Sequence, residues 1–388
     1  MNADHPFPHS PTELVIDLDA LADNWRLLRD RAAAGGAFAT AVVKADGYGL
    51  GIAPVARALH QAGCRSFFTA HLDEAIRLRA ILPDAGVEIS AMNGLTPGDE
   101  EAYREHRLAP TLNDLGQIER WRAFCRTEET AHAANLHVDT GMCRLGLPWQ
   151  EVDRLAEEPE RLDGVALSYL MSHLVNADDP AAPINRRQRQ DFAAICARLP
   201  TPMRGRMLAN SSGCFLGRDW LFDCVRPGVA IYGGAPNEDG PNPMKPVISL
   251  RAKILQIRDV DAPQTVGYGA AHRVERPTRV ATVAVGYADG YLRSIGAGPV
   301  PTQAVAHVGR QEVPVIGRVS MDLTTLDVTD APDAAVGAPV EMIGPLNPID
   351  RLAEAAGTIG YEILTSLGAR YRRRYVGRAA EGAAEGAA

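Results

Sequence analysis

The only amine side chains in this 388-residue sequence are Lys44, Lys245 and Lys253; the other 37 basic residues are arginines. Chemistry that needs a neutral amine, as nucleophile or base, therefore has three addresses, because a guanidinium stays protonated. Lys245 falls in the Pro/Gly/Asn-rich stretch PNEDGPNPMKP and Lys253 in the β-type run VISLRAKILQI, where both read as solvated side chains. Lys44 is different. It closes the apolar run FATAVVK and is followed at once by ADGYGLG, a glycine-rich turn that includes Tyr48. Partial burial there would lower the amine's pKa and make it reactive. Four more apolar runs end in polar groups: HVDTGMCRLG with Arg144, SHLVNAD with His173, LANSSG with Asn210 and Ser211, and VRPGVAIYG with Arg226 and the Gly228–Val229 backbone. Taken singly, each has an ordinary reading: Lys44 snorkelling to solvent, Arg144 in a surface ion pair, His173 satisfied in the core, Ser211 capping a helix. Their common position at the ends of runs singles them out.

The elements that must position them come in alternation. Apolar runs at 38–44, 66–70, 87–92, 108–112, 133–138, 164–172, 205–209 and 223–226 read as strands. Between them IAPVARALHQAG, LDEAIRLRAIL and NRRQRQDFAAICARL place apolar residues at helical spacing. Repeated strand–helix units imply a parallel sheet, and eight strands in this length suit a closed (β/α)8 barrel of the TIM type. An open doubly wound sheet is the alternative, weakened by the lack of a GxGxxG after the first strand. Beyond the PNEDGPNPMKP linker the runs become Val-, Ile- and Thr-rich and turn-punctuated (RVATVAVGY, QAVAHV, EVPVIGRV, LTTLDVT, APVEMIG), a C-terminal mostly-β domain. The expected division is a barrel over 13–240, a β-domain over 241–378 and a disordered tail over 379–388. In a barrel the polar groups named above converge on the C-terminal face, and Ser211 and Gly228–Val229 follow strands seven and eight, a common barrel phosphate site. A lysine and a phosphate site on one face suggest pyridoxal 5'-phosphate held on Lys44 as a Schiff base.

Composition narrows the partners. With 46% hydrophobic and 23% charged residues the chain has globular composition. A net charge of −8 argues against a general nucleic-acid or anionic-membrane binder, and the basic run from Arg370 to Arg378 reads as a solvated strand or helix face. The first residues show no cationic segment followed by an apolar one, and no window is long and apolar enough to span a bilayer. Six scattered cysteines without ligand spacing indicate no metal site and free thiols in a reducing cytoplasm.

The segment AVVKADGYGLG resembles the cofactor-lysine motif of the alanine racemases. So do DTGMCRLGL, MSHLVNAD, ANSSG, RPGVAIYG, VGYGAAH, VGYADGY, GRVSMD and YEILTSLGARY, in that family's order, from about residue 13 to residue 376. The resemblance implies a homodimer with shared active sites that interconverts L- and D-alanine. It implies that Lys44 carries the cofactor; that Tyr48, Ser211, Tyr361 and the Gly228–Val229 amides hold its phosphate; that Arg226 faces the pyridine nitrogen, with His173 and Asn210 alongside. Arg144 and the Met321 backbone would bind the substrate carboxylate, and Tyr287, Asp178 and Arg293 would line the access corridor. Inversion through a carbanion needs a base on each face of Cα. By resemblance Lys44 serves the D-isomer and Tyr268, from the other subunit, the L-isomer. A tyrosine of pKa about 10 needs a cation nearby to act so, and Arg144 or a path through His173 to Arg226 could supply it.

One position departs from the family pattern. Many members carry, two residues before the Asp of DTGM, a lysine whose carbamate orients the substrate-binding arginine; here it is His137. A histidine supplies no permanent negative charge, so activity should not depend on added bicarbonate. Cys143, beside Arg144, reads as a small space-filler. The rival readings are a broad-specificity or serine racemase, a related barrel decarboxylase, which would set a carboxylate rather than Arg226 against the pyridine nitrogen, and a non-catalytic pyridoxal-phosphate carrier, which would lack the β-domain. Supply of D-alanine for cell-wall synthesis and its catabolism are both compatible with the sequence.

Overall fold

The computed structural model describes residues 9–378 apart from 201–202, 239 and 297–303; the expected tail at 379–388 lies outside them. Short parallel strands, several of them buried along their whole length, make the first unit. Ser66–Thr69 and Ala109–Leu112 show no exposed position, the signature of parallel strands covered on both faces. The sheet runs in parallel through Ala41–Val42, Ser66–Thr69, Glu88–Ala91, Ala109–Leu112, His132–His137, Val165–Met171, Gly205–Met207 and Cys224–Val225, and closes on Phe38–Ala39. Phe38–Ala39 and Ala41–Val42 are one strand interrupted at Thr40, so the sheet returns to where it began. Thr40 N–H donates to Val225 O (3.0 Å), Val42 N–H to Pro227 O (3.0 Å) and Val43 N–H to Phe68 O (2.9 Å). The result is the eight-stranded barrel expected from the sequence. Helix Leu18–Ala34, capped by the Asp17 carboxylate accepting Ala20 N–H at 2.9 Å, lays Trp25 on the interruption, where its indole N–H donates to Thr40 O.

The second unit is antiparallel and also closes. Strands Thr278–Val283, Thr324–Asp327, Gln311–Ile316, Val305–Val308, Pro339–Ile343 and Ile248–Val260 form a ring, because the 13-residue Ile248–Val260 pairs with both Pro339–Ile343 and Thr278–Val283. Two further strands extend it: Thr12–Asp17, antiparallel to Ile248–Val260, and Arg372–Val376, parallel to Thr12–Asp17. The barrel range expected from residue 13 thus opens on a strand of the other sheet. The reason is in its burial: TELVID alternates buried and half-buried positions, which fits a sheet with one covered face and not the barrel wall.

The basic run is a strand with divided duties. Arg372 and Arg374 pair with Glu13, while Arg373 donates to the carbonyls of Gly49, Leu367 and Gly368. Helices Ile349–Ala356 and Gly360–Ser366 pack toward the barrel mouth. Gly49 allows that approach: a side chain there would meet Leu364 O at 2.5 Å, and its φ of 80° favours glycine in any case. Among the described residues no helix is long and apolar enough to cross a membrane.

Candidate active site

Lys44 ends the first barrel strand and begins an unusual turn. Ala45, Asp46, Gly47 and Tyr48 have φ between 53° and 66°, one turn of left-handed helix, continued by Gly49 at 80°. Such a conformation costs an ordinary L-residue about 1–2 kcal/mol, so three non-glycine residues in it mark a backbone held by its surroundings. Gly49 N–H donates to Ala45 O (2.7 Å), Gly51 N–H to Asp46 O (2.8 Å) and Ile52 N–H to the Asp46 carboxylate (3.0 Å). The turn aims Lys44 into a cavity of about 1350 Å3 and tucks Tyr48 beneath it, stacked on Tyr232 at 4.4 Å between ring centres.

That cavity is lined by Lys44, His137, Arg144, His173, Arg226 and Tyr361, with Asp178, Asn210 and Val229 also on its wall. Burial lowers the Lys44 amine below its ordinary pKa, and the Arg144 and Arg226 charges lower it further against a smaller opposing effect of Glu74. Burial also brings Arg226 down to about 10, which still leaves it charged at neutral pH. His173 lies far below its usual value, through burial first and then the charges of Arg226 and Arg144, so its ring is neutral. His137 falls to about 4, again by burial, then Arg226. Its Nδ1 is 2.7 Å from Asn113 Oδ1, and the Asn113 amide is oriented by donating to Thr111 O at 3.0 Å. Nδ1 therefore carries the ring proton and Nε2 its lone pair.

The remaining polar groups hold this wall in place. Arg226 donates through Nη2 to Ser172 O, while its buried Nε has no hydrogen-bond partner among the described residues. Ser211 stands at the N-cap position of the Ser212–Phe215 turn, but its side chain does not cap it: its Oγ accepts from Gly228 N–H (2.9 Å) and Ala230 N–H (3.2 Å), and Asn210 accepts Gly213 N–H of that turn (2.9 Å). A side chain at Gly228 would displace the Tyr48 ring, since a Cβ there would lie 2.2 Å from the Tyr48 hydroxyl. Asp139 shapes the loop that presents Arg144 by accepting the amides of Gly141, Met142 and Cys143. Cys143, like the other five cysteines, is unpaired; it is exposed.

Sequence reasoning did not find Asn113 or Gln188. Asn113 follows a barrel strand directly and could have been read from that position. Gln188 sits on the outer helix Pro183–Arg198 with no local signal, yet it is fully buried; it donates to His173 O (2.9 Å) and Thr140 Oγ1 (3.2 Å) and accepts Val175 N–H (2.9 Å). The other expected residues, Tyr268, Tyr287, Arg293 and Met321, are not on the cavity wall of their own chain. They project from one end of the β-domain, where Tyr268 is 69% and Met321 53% exposed. Tyr287 N–H and Ala288 N–H donate to Ser320 O and Met321 O, which joins two of these loops.

The donor set suits an anionic aromatic cofactor: a half-buried amine, a buried guanidinium N–H without an acceptor, and a hydroxyl–amide cradle that a Cβ at 228 would fill. Among the described residues no group of side chains could hold a metal ion. A closed parallel barrel with one lysine turned into its mouth, backed by an antiparallel domain, defines the class: a two-domain barrel enzyme organised around an amine. The comparisons make it particular. The alanine racemase N-terminal domain model matches residues 16–236 and the alanine racemase C-terminal domain model residues 247–375, so the chain belongs to the alanine racemase family. It is 50% identical to an alanine racemase of Acidiphilium cryptum over 93% of this chain and 97% of that one. Its fold matches the Bartonella henselae alanine racemase with covalently bound pyridoxal phosphate at a TM-score of 0.88 and 38% identity, covering 94% of this chain and 99% of that one. The biosynthetic alanine racemase of Pseudomonas aeruginosa matches at 0.86 and 34%, covering 95% of this chain and all of that one.

Proposed function

We propose that this protein is a pyridoxal-phosphate-dependent alanine racemase that acts as a homodimer. The observation that carries the reading is the Lys44 amine, lowered in pKa and aimed into a cavity beside the Arg226 Nε–H, which has no hydrogen-bond partner among the described residues. When bound, pyridoxal phosphate supplies the electron sink that makes the substrate's α-hydrogen acidic. Lys44 would anchor the cofactor, and Ser211, Tyr48, Tyr361 and the Gly228–Val229 backbone would hold its phosphate. Arg226 would give the ring nitrogen a hydrogen bond without surrendering its proton, which weakens the sink and keeps the reaction to proton exchange. The same arginine argues against a decarboxylase, whose ring nitrogen faces an acid. Arg144 would bind the substrate carboxylate with Met321 of a second copy, and Asp178, Tyr287 and Arg293 would line the approach. Lys44 removes or returns the proton on one face, and Tyr268 of the second copy does so on the other. The exposure of Tyr268 supports that division, because the described residues of its own chain leave 69% of it uncovered. Six unpaired cysteines support a cytoplasmic setting.

Incubation with L-alanine and chiral analysis of the product tests the activity. The shared site is tested by mixing two inactive forms, Lys44→Ala and Tyr268→Phe. In a two-fold dimer each mixed pair regains one intact site, so random reassociation should restore about a quarter of wild-type activity. No recovery on mixing would exclude the shared site.

A further inference from the structure

The left-handed turn that carries Lys44 is gripped from outside by one helix. Glu74, on Leu72–Ile81, accepts Ala45 N–H at 2.7 Å through Oε1, and Ala70 N–H at 2.9 Å and His71 N–H at 3.3 Å through Oε2. Its carboxylate thus joins the residue immediately after Lys44 to the end of the second barrel strand. One helical turn on, Arg77 meets the Asp46 carboxylate at 3.0 Å, so neighbouring positions on one helix face hold two consecutive left-handed residues. The two grips differ in kind. The Arg77–Asp46 pair is largely exposed, whereas Glu74 makes charge-assisted bonds to backbone amides, which are stronger.

We infer that Glu74 is a positioning residue for Lys44, its carboxylate fixing the turn in the left-handed form that points the amine into the cavity. The inference rests on Lys44 being the reactive amine. Without the acceptor, Ala45 can relax toward an ordinary conformation, and displacement of the amine by about 1 Å is enough to cost around a hundredfold in rate. Glu74 has a second effect on the same group. The charges acting on Lys44 are those of Arg144, Arg226 and Glu74, and Glu74 alone among them favours the protonated amine. Removing its charge should make Lys44 titrate at lower pH.

The lysine scarcity gives a clean readout. In the full-length chain freed of cofactor, pH-dependent acetylation can be followed on each lysine by peptide mass, with Lys245 and Lys253 as internal references. In Glu74→Gln the Lys44 midpoint should fall relative to them. Glu74→Asp keeps the charge but shortens the reach, so its midpoint should stay near wild type. In the cofactor-loaded enzyme both variants should raise the primary deuterium isotope effect with α-deuterated D-alanine, the isomer served by Lys44, without raising it for L-alanine. Asp73→Asn, an exposed carboxylate on the same helix, should change neither quantity. A Glu74→Gln protein with wild-type midpoint and wild-type isotope effects would overturn the assignment. Racemisation retained by Lys44→Ala would instead remove the role of Lys44 itself, whatever the Glu74 variants do.

Discussion

The barrel mouth and the exposed end of the β-domain carry the two halves of the expected chemistry, and they are built in opposite ways. At the mouth, Arg226 is 3% exposed and Gln188 fully buried, and neutral histidines, an aromatic stack and amide-bound hydroxyls fix each other. At the β-domain end, Tyr268, Met321 and Tyr287 sit on short loops and face outward. A group meant to bind and hold a cofactor is pre-organised within its own chain. A group meant for another subunit's site has to stay uncovered until that subunit arrives. Burial therefore tunes the pKa of Lys44 within one chain, whereas in the proposed dimer the environment of Tyr268 would be completed by assembly.

The sharpest way to break this contrast is to delete one residue from each side. Lys44→Ala should abolish racemisation, by 10^4-fold or more on an order-of-magnitude basis, together with the cofactor's borohydride-sensitive visible absorbance. Tyr268→Phe should cost about 10^2- to 10^4-fold while leaving that absorbance and the cofactor content unchanged. Loss of cofactor in Tyr268→Phe would mean that the β-domain end takes part in binding and is not held in reserve.

The next effect belongs to the buried side alone. His137 has its folded-state pKa lowered from 6.5 to about 4, so between these values the unfolded chain binds the proton and the native chain does not. Stability from this group is complete above pH 6.5, is lost as pH falls toward 4 and changes no further below that. The loss is about 3 kcal/mol at most. Denaturant unfolding at pH 7, 6 and 5 should show it, and His137→Asn should flatten the slope. The smallest expected effect is none: added bicarbonate should leave the rate unchanged, because His137 is neutral and has no amine to carbamylate. Activation by bicarbonate would show that an anion completes the wall around Arg144.

Much of this was legible in the sequence. The eight expected barrel strands each overlap an observed one, because parallel strands buried on both faces appear as short uninterrupted apolar runs. Site residues at strand ends, from Lys44 to Arg226, could be found for the same reason, since the barrel fixes which end of every strand faces the site. Thr12–Asp17 was harder to place. Its pattern declares a strand, but its partners Ile248–Val260 and Arg372–Val376 lie more than two hundred residues away. Gln188 and Glu74 gave no local signal because each acts through backbone amides or carbonyls of other segments, and any sequence can supply those.

The sequence by itself determined the elements, their order and the one amine available for chemistry, because apolar period, turn residues and side-chain type are local properties. Only the tertiary structure decided that the amine rides on a left-handed turn held by Glu74, that both histidines at the mouth are neutral, and that Tyr268 faces away from its own cavity. Each of these depends on contacts between distant segments: a backbone conformation is held by partners outside it, and a pKa is set by what surrounds the group.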